Sequence, residues 1–339
     1  MTATTPVLAL TMGEPAGIGG EITLKAWTRR AGLDPFFIID DPERLNALAS
    51  RTGLDVPIRD IATPSEAPGV FNDALPVLPV DRVSPLPAPV QAGAPDGANA
   101  GAVIASIETA VRLVMDGEAS AVVTNPIHKQ ALYAADFPHP GHTEFLAHLG
   151  GTGIPPVMML AADDFRVVPV TVHQSLRDAL ETLDTGLITQ AGLTTAAALK
   201  QDFGISAPRL AVAGLNPHAG EGGAMGTEEI HIIAPAVEAL REVGINASGP
   251  IAPDTLFTEQ ARKGYDAAIC MYHDQALIPI KSLAFERAVN VTLGLPFVRT
   301  SPDHGTALDI AGTGTANESS LLAALTMASA MARLRNSAA

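Results

Sequence analysis

A single cysteine, Cys270, stands in a chain of 339 residues. One thiol cannot form an internal disulfide framework, and its isolation fits a reducing, cytoplasmic compartment. Aromatic side chains make up only 4% of the chain against 47% hydrophobic residues in all. The core must therefore be filled by aliphatic groups, and a chain of this length has enough of them for two moderate domains. Positive charge is scarce as well: 21 Lys and Arg against 36 Asp and Glu leave a net charge of −15. Binding a nucleic-acid backbone takes clustered basic residues, so that class of partner is excluded. An anionic small molecule has to be held by a few placed cations working against the overall field. No run approaches the roughly 18 apolar residues of a membrane span, so no membrane association is expected. The opening MTATTPVLALTMG lacks a basic segment leading into a long apolar one, so no signal peptide is expected. Two nucleotide signatures are missing too. No G-x-G-x-x-G follows the first apolar run and no G-x-x-x-x-G-K-[ST] occurs, which leaves a usual Rossmann or P-loop site unsupported.

What the chain has instead is alternation. Short apolar runs read as strands at 7–11, 35–40, 120–124, 156–161, 166–172, 209–215, 266–271 and 288–293. Between them, apolar residues recur at three- and four-residue intervals over 99–116, 185–202, 226–243 and 317–335, the periodicity of helices. This βα alternation predicts an α/β protein with mostly parallel sheets. Segment 60–98, rich in Pro and Ala, reads as a long irregular excursion. In open α/β sheets ligands sit beyond the carboxyl ends of strands. Just after predicted strands come TMGEPAGIGGE (11–21), TNPIHK (124–129), HQSLRD (173–178), LNPHAGEGGAMGTEE (215–229), MYHDQ (271–275) and LGLPFVRTSPDHG (293–305). The polar chemistry collects on one rim.

Nine histidines are present, and most fit plain roles: His231 on a solvent-facing helix, His148 near a helix end, His139 in a Pro-flanked loop. His173, His218 and His273 differ in that each follows a predicted strand. Three neutral imidazoles would suit a borderline divalent ion with open positions for substrate, although their wide sequence separation matches no short motif. Asp274 reads equally as an orienter of His273 or as a helix N-cap. In GHTEFLA (141–147), Thr143 reads as the cap of a helix whose free N–H groups attract phosphate. Lys281, Asn290 and Arg299 fall in or after the last two predicted strands. Arg299, behind Pro and Phe, suits a guanidinium that grips an anion through two bonds.

The run DHGTALDIAGTGTAN (303–317) resembles the H-G-[ST]-A-P-x-x-A-G loop of the isocitrate and isopropylmalate dehydrogenases, with Leu308 where those enzymes place Pro. Taken in order, GEPAGIGGE, NPIHK, GHTEF, LNPHAGEGGAMGTEE, PDTLF, YHDQALIPIK and VNVTLGLPFVRTSPDHGTAL resemble the 4-hydroxythreonine-4-phosphate dehydrogenase family of pyridoxine (vitamin B6) biosynthesis, over residues 13 to about 314. The resemblance implies two α/β/α domains of the isocitrate/isopropylmalate dehydrogenase-like class with an interdomain active site. It implies a cofactor-side domain at 1–133 plus 299–339 and a metal, substrate and dimerisation domain at 134–298. It further implies a cytoplasmic homodimer in which both subunits contribute the metal ligands His173, His218 and His273, for zinc, cobalt or magnesium. Substrate contacts carry over to His142, Thr143, Lys281, Asn290 and Arg299, and NAD or NADP contacts to His304 and Gly305. Asp254, Lys281 and Asp274 are the candidates for proton transfer. The implied reaction oxidises 4-phosphooxy-L-threonine, and the keto acid formed then loses CO₂. The alternatives are a paralogous dehydrogenase of 4-phosphothreonate or 4-phosphoerythronate, or a non-redox metal-dependent lyase.

Overall fold

A computed structural model describes residues 5–80, 86–87 and 89–338. The chain divides into two compact units, the first holding residues 1–156 and 295–337 and the second residues 157–294. In chain order the strands are β1 (Leu8–Thr11), β2 (Phe36–Asp40), β3 (Ile58–Asp60), β4 (Leu75–Pro79), β5 (Ala121–Val123), β6 (Val157–Ala162), β7 (Phe165–Pro169), β8 (Arg209–Ala213), β9 (Asn246–Ile251), β10 (Ala267–Cys270), β11 (Val289–Leu293) and β12 (Arg299–Pro302). All eight strands read from the sequence are present, with ends shifted by a few residues.

Unit 1 carries its strands in the order β3-β4-β2-β1-β5-β12, every pairing parallel. The chain runs from β1 outward to β2 on one side and later to β5 on the other, so the strand order reverses between β1 and β5. Parallel strands covered on both faces need continuous apolar runs, which VLALT, FFIID and AVV supply. The helix Ala100–Met115 packs Val103, Ile107 and Val111 into a core with Phe37, Ile39, Val122, Phe145 and Phe297. Segment 97–115 passes, by length and composition, the test for a membrane span that the sequence reading had expected no segment to pass. It is mostly buried, and its apolar residues serve that core. Residues 134–156, expected with the metal side of the chain, cluster with unit 1 because Phe137, Phe145 and Leu146 bury in the same core.

Unit 2 has the order β11-β6-β7-β10-β8-β9. Strand β6 is antiparallel to β7 and to β11, whereas β7, β10, β8 and β9 run parallel. Its core joins Leu160, Val167, Ala211 and Cys270 to Ala276, Leu277 and Ile280 of the helix His273–Ala284. Burial pushes the Cys270 thiol well above its ordinary value, so this lone cysteine is an inert core group.

Four strands lay hidden in the sequence: β3 is only three residues long, and the other three escaped for separate reasons. Strand β4, inside the stretch read as irregular, carries Pro76 and Pro79, and proline demotes a run as a strand. It is nonetheless buried between β3 and β2. Strand β9 contains a Gly-Pro pair, and β12 reads RTSP, a polar sequence that the fold buries completely. The remainder of the 60–98 excursion lies partly outside the described residues.

Candidate active site

Three neighbouring parallel strands of unit 2, in the order β7-β10-β8, each end in a loop that carries one of the singled-out histidines. Parallel strands put their carboxyl ends on one edge, so His173, His273 and His218 all lie beyond the same edge. The rings of His173 and His273 have centroids 6.1 Å apart. Two imidazoles on one tetrahedral ion at about 2.1 Å have centroids roughly 5.3 Å apart, so this pair flanks a common space at slightly more than ligand spacing. His273 opens its helix, and its Nδ1 lies 2.8 Å from Asp274 Oδ1. A proton held there by the carboxylate leaves Nε2 as the ligating nitrogen. Asp274 thus faces the His273 ring, and the N-cap position belongs to Tyr272. An open pocket of about 430 Å³ adjoins the pair, bounded by Thr171, His173, Ser175, Tyr272, His273 and Asp274.

The backbone of these loops is strained. His173 has φ +50°, and His218 begins five successive left-handed residues: His218 (φ 52°), Ala219 (53°), Gly220 (76°), Glu221 (42°) and Gly222 (67°). Each non-glycine residue there costs about 1–2 kcal/mol, a cost met by surrounding structure and typical of functional sites. Glu229 supplies much of that structure. Its Oε1 accepts the backbone N–H groups of Leu215 and Asn216, both at 2.7 Å, and its Oε2 accepts Asn216 Nδ2 at 3.0 Å. A Cβ on Gly220 would stand 2.6 Å from Glu229 Oε2, so the turn closes only around glycine. Among the described residues no group of three His, Cys, Asp or Glu donors gathers within one chain. His218 thus stands apart from the His173–His273 pair.

Asp254 is exposed in the short helix Pro253–Leu256, which packs against the His218 turn. Lys281 lies inside the His273–Ala284 helix and not after a strand, its Nζ 5.9 Å from the centroid of the Phe285 ring. Asn290 sits half-buried on β11 opposite Leu160.

Unit 1 builds a second cluster. Arg299, the first residue of β12, is 4% exposed and donates Nε and Nη2 to Thr124 Oγ1 at 3.2 and 2.6 Å. Burial pulls its pKa down to about 10. His142 opens the helix His142–Leu149, and its Nε2 is shut off from solvent with no hydrogen-bond partner. Burial first, then the nearby charges of Arg299 and Lys129, hold this imidazole well below the ordinary histidine range, so it is neutral. Thr143 lies in the first turn; Gly141 takes the N-cap position and makes no side-chain cap bond, contrary to the cap read for Thr143. A Cβ on Gly141 would stand 3.0 Å from Glu144 Oε2 and 3.4 Å from Lys129 Nζ, which puts a carboxylate and an ammonium beside this helix start. Two cations and an open helix N-terminus make a place for an anion.

Next to it, Asn125 donates Nδ2 to Thr11 O and Thr23 Oγ1, both at 3.0 Å, while its buried Oδ1 has no partner. Asn125 follows β5 at the point where the strand order reverses, the usual ligand position in such sheets. Glu14, just past β1, is 4% exposed and accepts from Ala16 N, and burial raises its pKa. Glu14, Asn125 and Lys129 belong to the motifs at strand ends without a role read from the sequence; burial singles out Glu14 and Asn125, and its neighbours single out the exposed Lys129. The expected cofactor residue His304 also has an unpartnered buried Nε2, whereas Gly305 is exposed with open space around it. The rest of that loop is pinned to the helix Gly19–Thr28. Glu21, fully buried, accepts from Gly312 N and Ala316 N at 3.1 and 2.9 Å, and Lys25 donates to Gly314 O and Ala316 O. A pinned Gly-rich backbone with an orphaned imidazole fits a loop that receives a polar cofactor edge.

The family profile described as "Pyridoxal phosphate biosynthetic protein PdxA" matches residues 33–328. The chain is 55% identical over 335 residues to the 4-hydroxythreonine-4-phosphate dehydrogenase of Methylorubrum populi, covering 96% of this chain and 94% of that protein. A crystal structure of 4-hydroxythreonine-4-phosphate dehydrogenase from Klebsiella pneumoniae is similar at 37% identity and a TM-score of 0.88, over 98% of this chain and 100% of the other. A terephthalate 1,2-cis-dihydrodiol dehydrogenase from Burkholderia xenovorans follows at 29% identity and a TM-score of 0.64, over 96% of this chain and 98% of that one. These likenesses carry the isocitrate dehydrogenase-like fold class.

Proposed function

Because the chain belongs to the pyridoxal phosphate biosynthetic protein PdxA family of oxidoreductases, we propose that it oxidises the C3 hydroxyl of 4-phosphooxy-L-threonine with NAD⁺ or NADP⁺. The product, 2-amino-3-oxo-4-phosphooxybutanoate, is a β-keto acid that loses CO₂ to give 3-amino-2-oxopropyl phosphate, on the route to pyridoxine 5′-phosphate. The observation that carries the metal-dependent reading is the His173–His273 pair, with Asp274 fixing the tautomer of His273.

His173, His218 and His273 are the proposed ligands of a zinc, cobalt or magnesium ion, the first two metals being favoured by imidazole. When bound, the ion supplies Lewis-acid polarisation of the substrate oxygen and the nicotinamide takes up the hydride. Every other part falls to side chains of the chain. Arg299, Lys129 and the N–H groups at His142 and Thr143 hold an anionic end of the substrate, and the neutral imidazole of His142 hydrogen-bonds to it through Nε2. Lys281 and Asn290 are proposed as further substrate contacts, which together fix C3 for reaction. Asp254 or Lys281 takes the hydroxyl proton, while Asp274 orients His273. His304 and Gly305 receive the cofactor on the loop that Glu21 and Lys25 pin down. In this reading residues 1–133 and 299–339 form the cofactor side.

The proposed assembly is a homodimer in which a second copy contributes to the metal set. Unit 2 exposes Leu176, Leu180, Ile278 and Phe285, the last at 70%, apolar area that a partner copy would cover. A cytoplasmic setting fits the single buried thiol.

The test is absorbance at the NADH band with 4-phosphooxy-L-threonine, a divalent metal and each of NAD⁺ and NADP⁺. Turnover establishes the reading. Silence with this substrate but turnover of 4-phosphothreonate would assign the chain to a paralogous activity.

A further inference from the structure

The three histidine loops are not independent of one another, because a buried chain of hydrogen bonds crosses the strand ends that carry them. Thr171 Oγ1, two residues before His173, donates to Met271 O at 2.8 Å. Met271 N, two residues before His273, donates to Gln275 Oε1 at 2.7 Å. Gln275 Nε2 in turn donates to Gly214 O at 2.8 Å, at the root of the turn that bears His218. Gly214 N donates to Ile251 O at 2.7 Å, which continues the chain toward the Asp254 helix. Thr171, Met271 and Gln275 are 4%, 1% and 7% exposed, so water cannot substitute for any link. The amide of Gln275 has one orientation only, since a flip would set its NH₂ against Met271 N–H and its oxygen against Gly214 O.

We infer that Gln275 is a positioning residue that locks the three histidine-bearing loops into one register and thereby sets the affinity of the chain for its metal. The inference rests on the proposed metal site. Both bonds of the Gln275 amide go to backbone groups, and the residue lies in the first turn of the His273 helix with its side chain turned inward. A merely structural glutamine would satisfy buried polar groups at one place. This one joins the backbone of the His273 loop to the backbone of the His218 turn, and Thr171 extends the same link to the His173 loop. Removing it leaves a donor at Met271 and an acceptor at Gly214, both buried and unpaired, and the His218 turn is then free to relax apart from the other two loops, which Thr171 still joins.

Two substitutions separate the arms. Gln275→Met keeps the volume and breaks both links. Gln275→Glu keeps an acceptor for Met271 N–H but sets an oxygen against Gly214 O. Leu240→Ala, a core truncation in the helix Ala234–Glu242 away from the relay, serves as a control of lowered stability. The measurements are Co²⁺ titration of the metal-free full-length protein, followed by its visible absorption, and amide hydrogen exchange without metal. Gln275→Met should weaken Co²⁺ binding roughly 10- to 100-fold and alter the cobalt spectrum, while Leu240→Ala leaves both unchanged. Exchange should quicken at Met271 and across 214–220 in Gln275→Met, but only across 214–220 in Gln275→Glu. Co²⁺ affinity within twofold of wild type in Gln275→Met would overturn the inference, as would equal weakening in Leu240→Ala. Should wild type take up no Co²⁺ at all, the metal reading fails on its own. The exchange pattern then still decides the relay: faster exchange confined to one loop in Gln275→Met refutes it.

Discussion

Arg299→Met sets stability against function in a way the geometry makes quantitative. The guanidinium is buried, and burial has pulled its pKa from the ordinary arginine value down to about 10. One pKa unit corresponds to about 1.4 kcal/mol, so at neutral pH the folded chain carries roughly 3 kcal/mol of cost for keeping this group charged. The sign follows from proton linkage. Below about pH 10 the group is protonated in both states and the cost is fully present; above it, up to the ordinary arginine value, the unfolded chain binds more protons, and stability from this group rises with pH. Methionine fills much of the same volume without charge and forfeits the bonds to Thr124 Oγ1, worth roughly 1.5–3 kcal/mol for a charged donor. The two terms nearly cancel. The substrate-free protein should therefore melt at the wild-type temperature or a few degrees above it, at about 2–4 °C per kcal/mol. Substrate binding behaves differently, because an anion that accepts from this guanidinium loses roughly 2–4 kcal/mol, or about 30- to 1,000-fold in affinity. Thermal melts with and without phosphorylated substrate, together with KM and kcat, read both effects. A substrate-free Tm lowered by more than about 5 °C would refute the desolvation argument. An unchanged KM would remove Arg299 from the anion site.

Three further outcomes follow from the same geometry. Replacing His218 by Ala should abolish retained metal, measured by elemental analysis after gel filtration, while the circular dichroism of the protein stays that of wild type; full metal occupancy would strike His218 from the ligand set. At Gly220, alanine must adopt a left-handed backbone and crowd the Glu229 carboxylate, so stability should fall by about 2 kcal/mol or more in chemical denaturation; a variant as stable as wild type would show that the turn is not held as described. His142, neutral by burial, costs nothing above pH 6.5. Below it the unfolded chain gains a proton that the folded one refuses, so stability declines as the medium is acidified, and His142→Asn should flatten that acid limb in urea titrations at stepped pH; parallel curves for the two proteins would contradict the buried neutral imidazole.

Much of the architecture was legible in the chain because parallel strands must be apolar along their whole length, and VLALT, FFIID and AAIC announce themselves. Among the strands that escaped, β4 and β12 are held by neighbours despite prolines and polar side chains, and no local signal records a neighbour. The site divides in the same way. That His173, His218 and His273 follow strands, and that Arg299 stands where few cations are available, was written in the sequence. That Thr143 lies inside a helix turn with Gly141 as its cap, and that Asp274 faces the His273 ring, depended on where the helices begin.

Composition alone determined the aliphatic core, the lone inert thiol and the need to hold an anion with few cations, since these depend only on how much of each residue type is present. Tertiary structure decided which residues became neighbours. The strand order β7-β10-β8 brings together loops far apart in sequence, and a buried glutamine ties them, because a hydrogen bond across strands exists only once the sheet has formed.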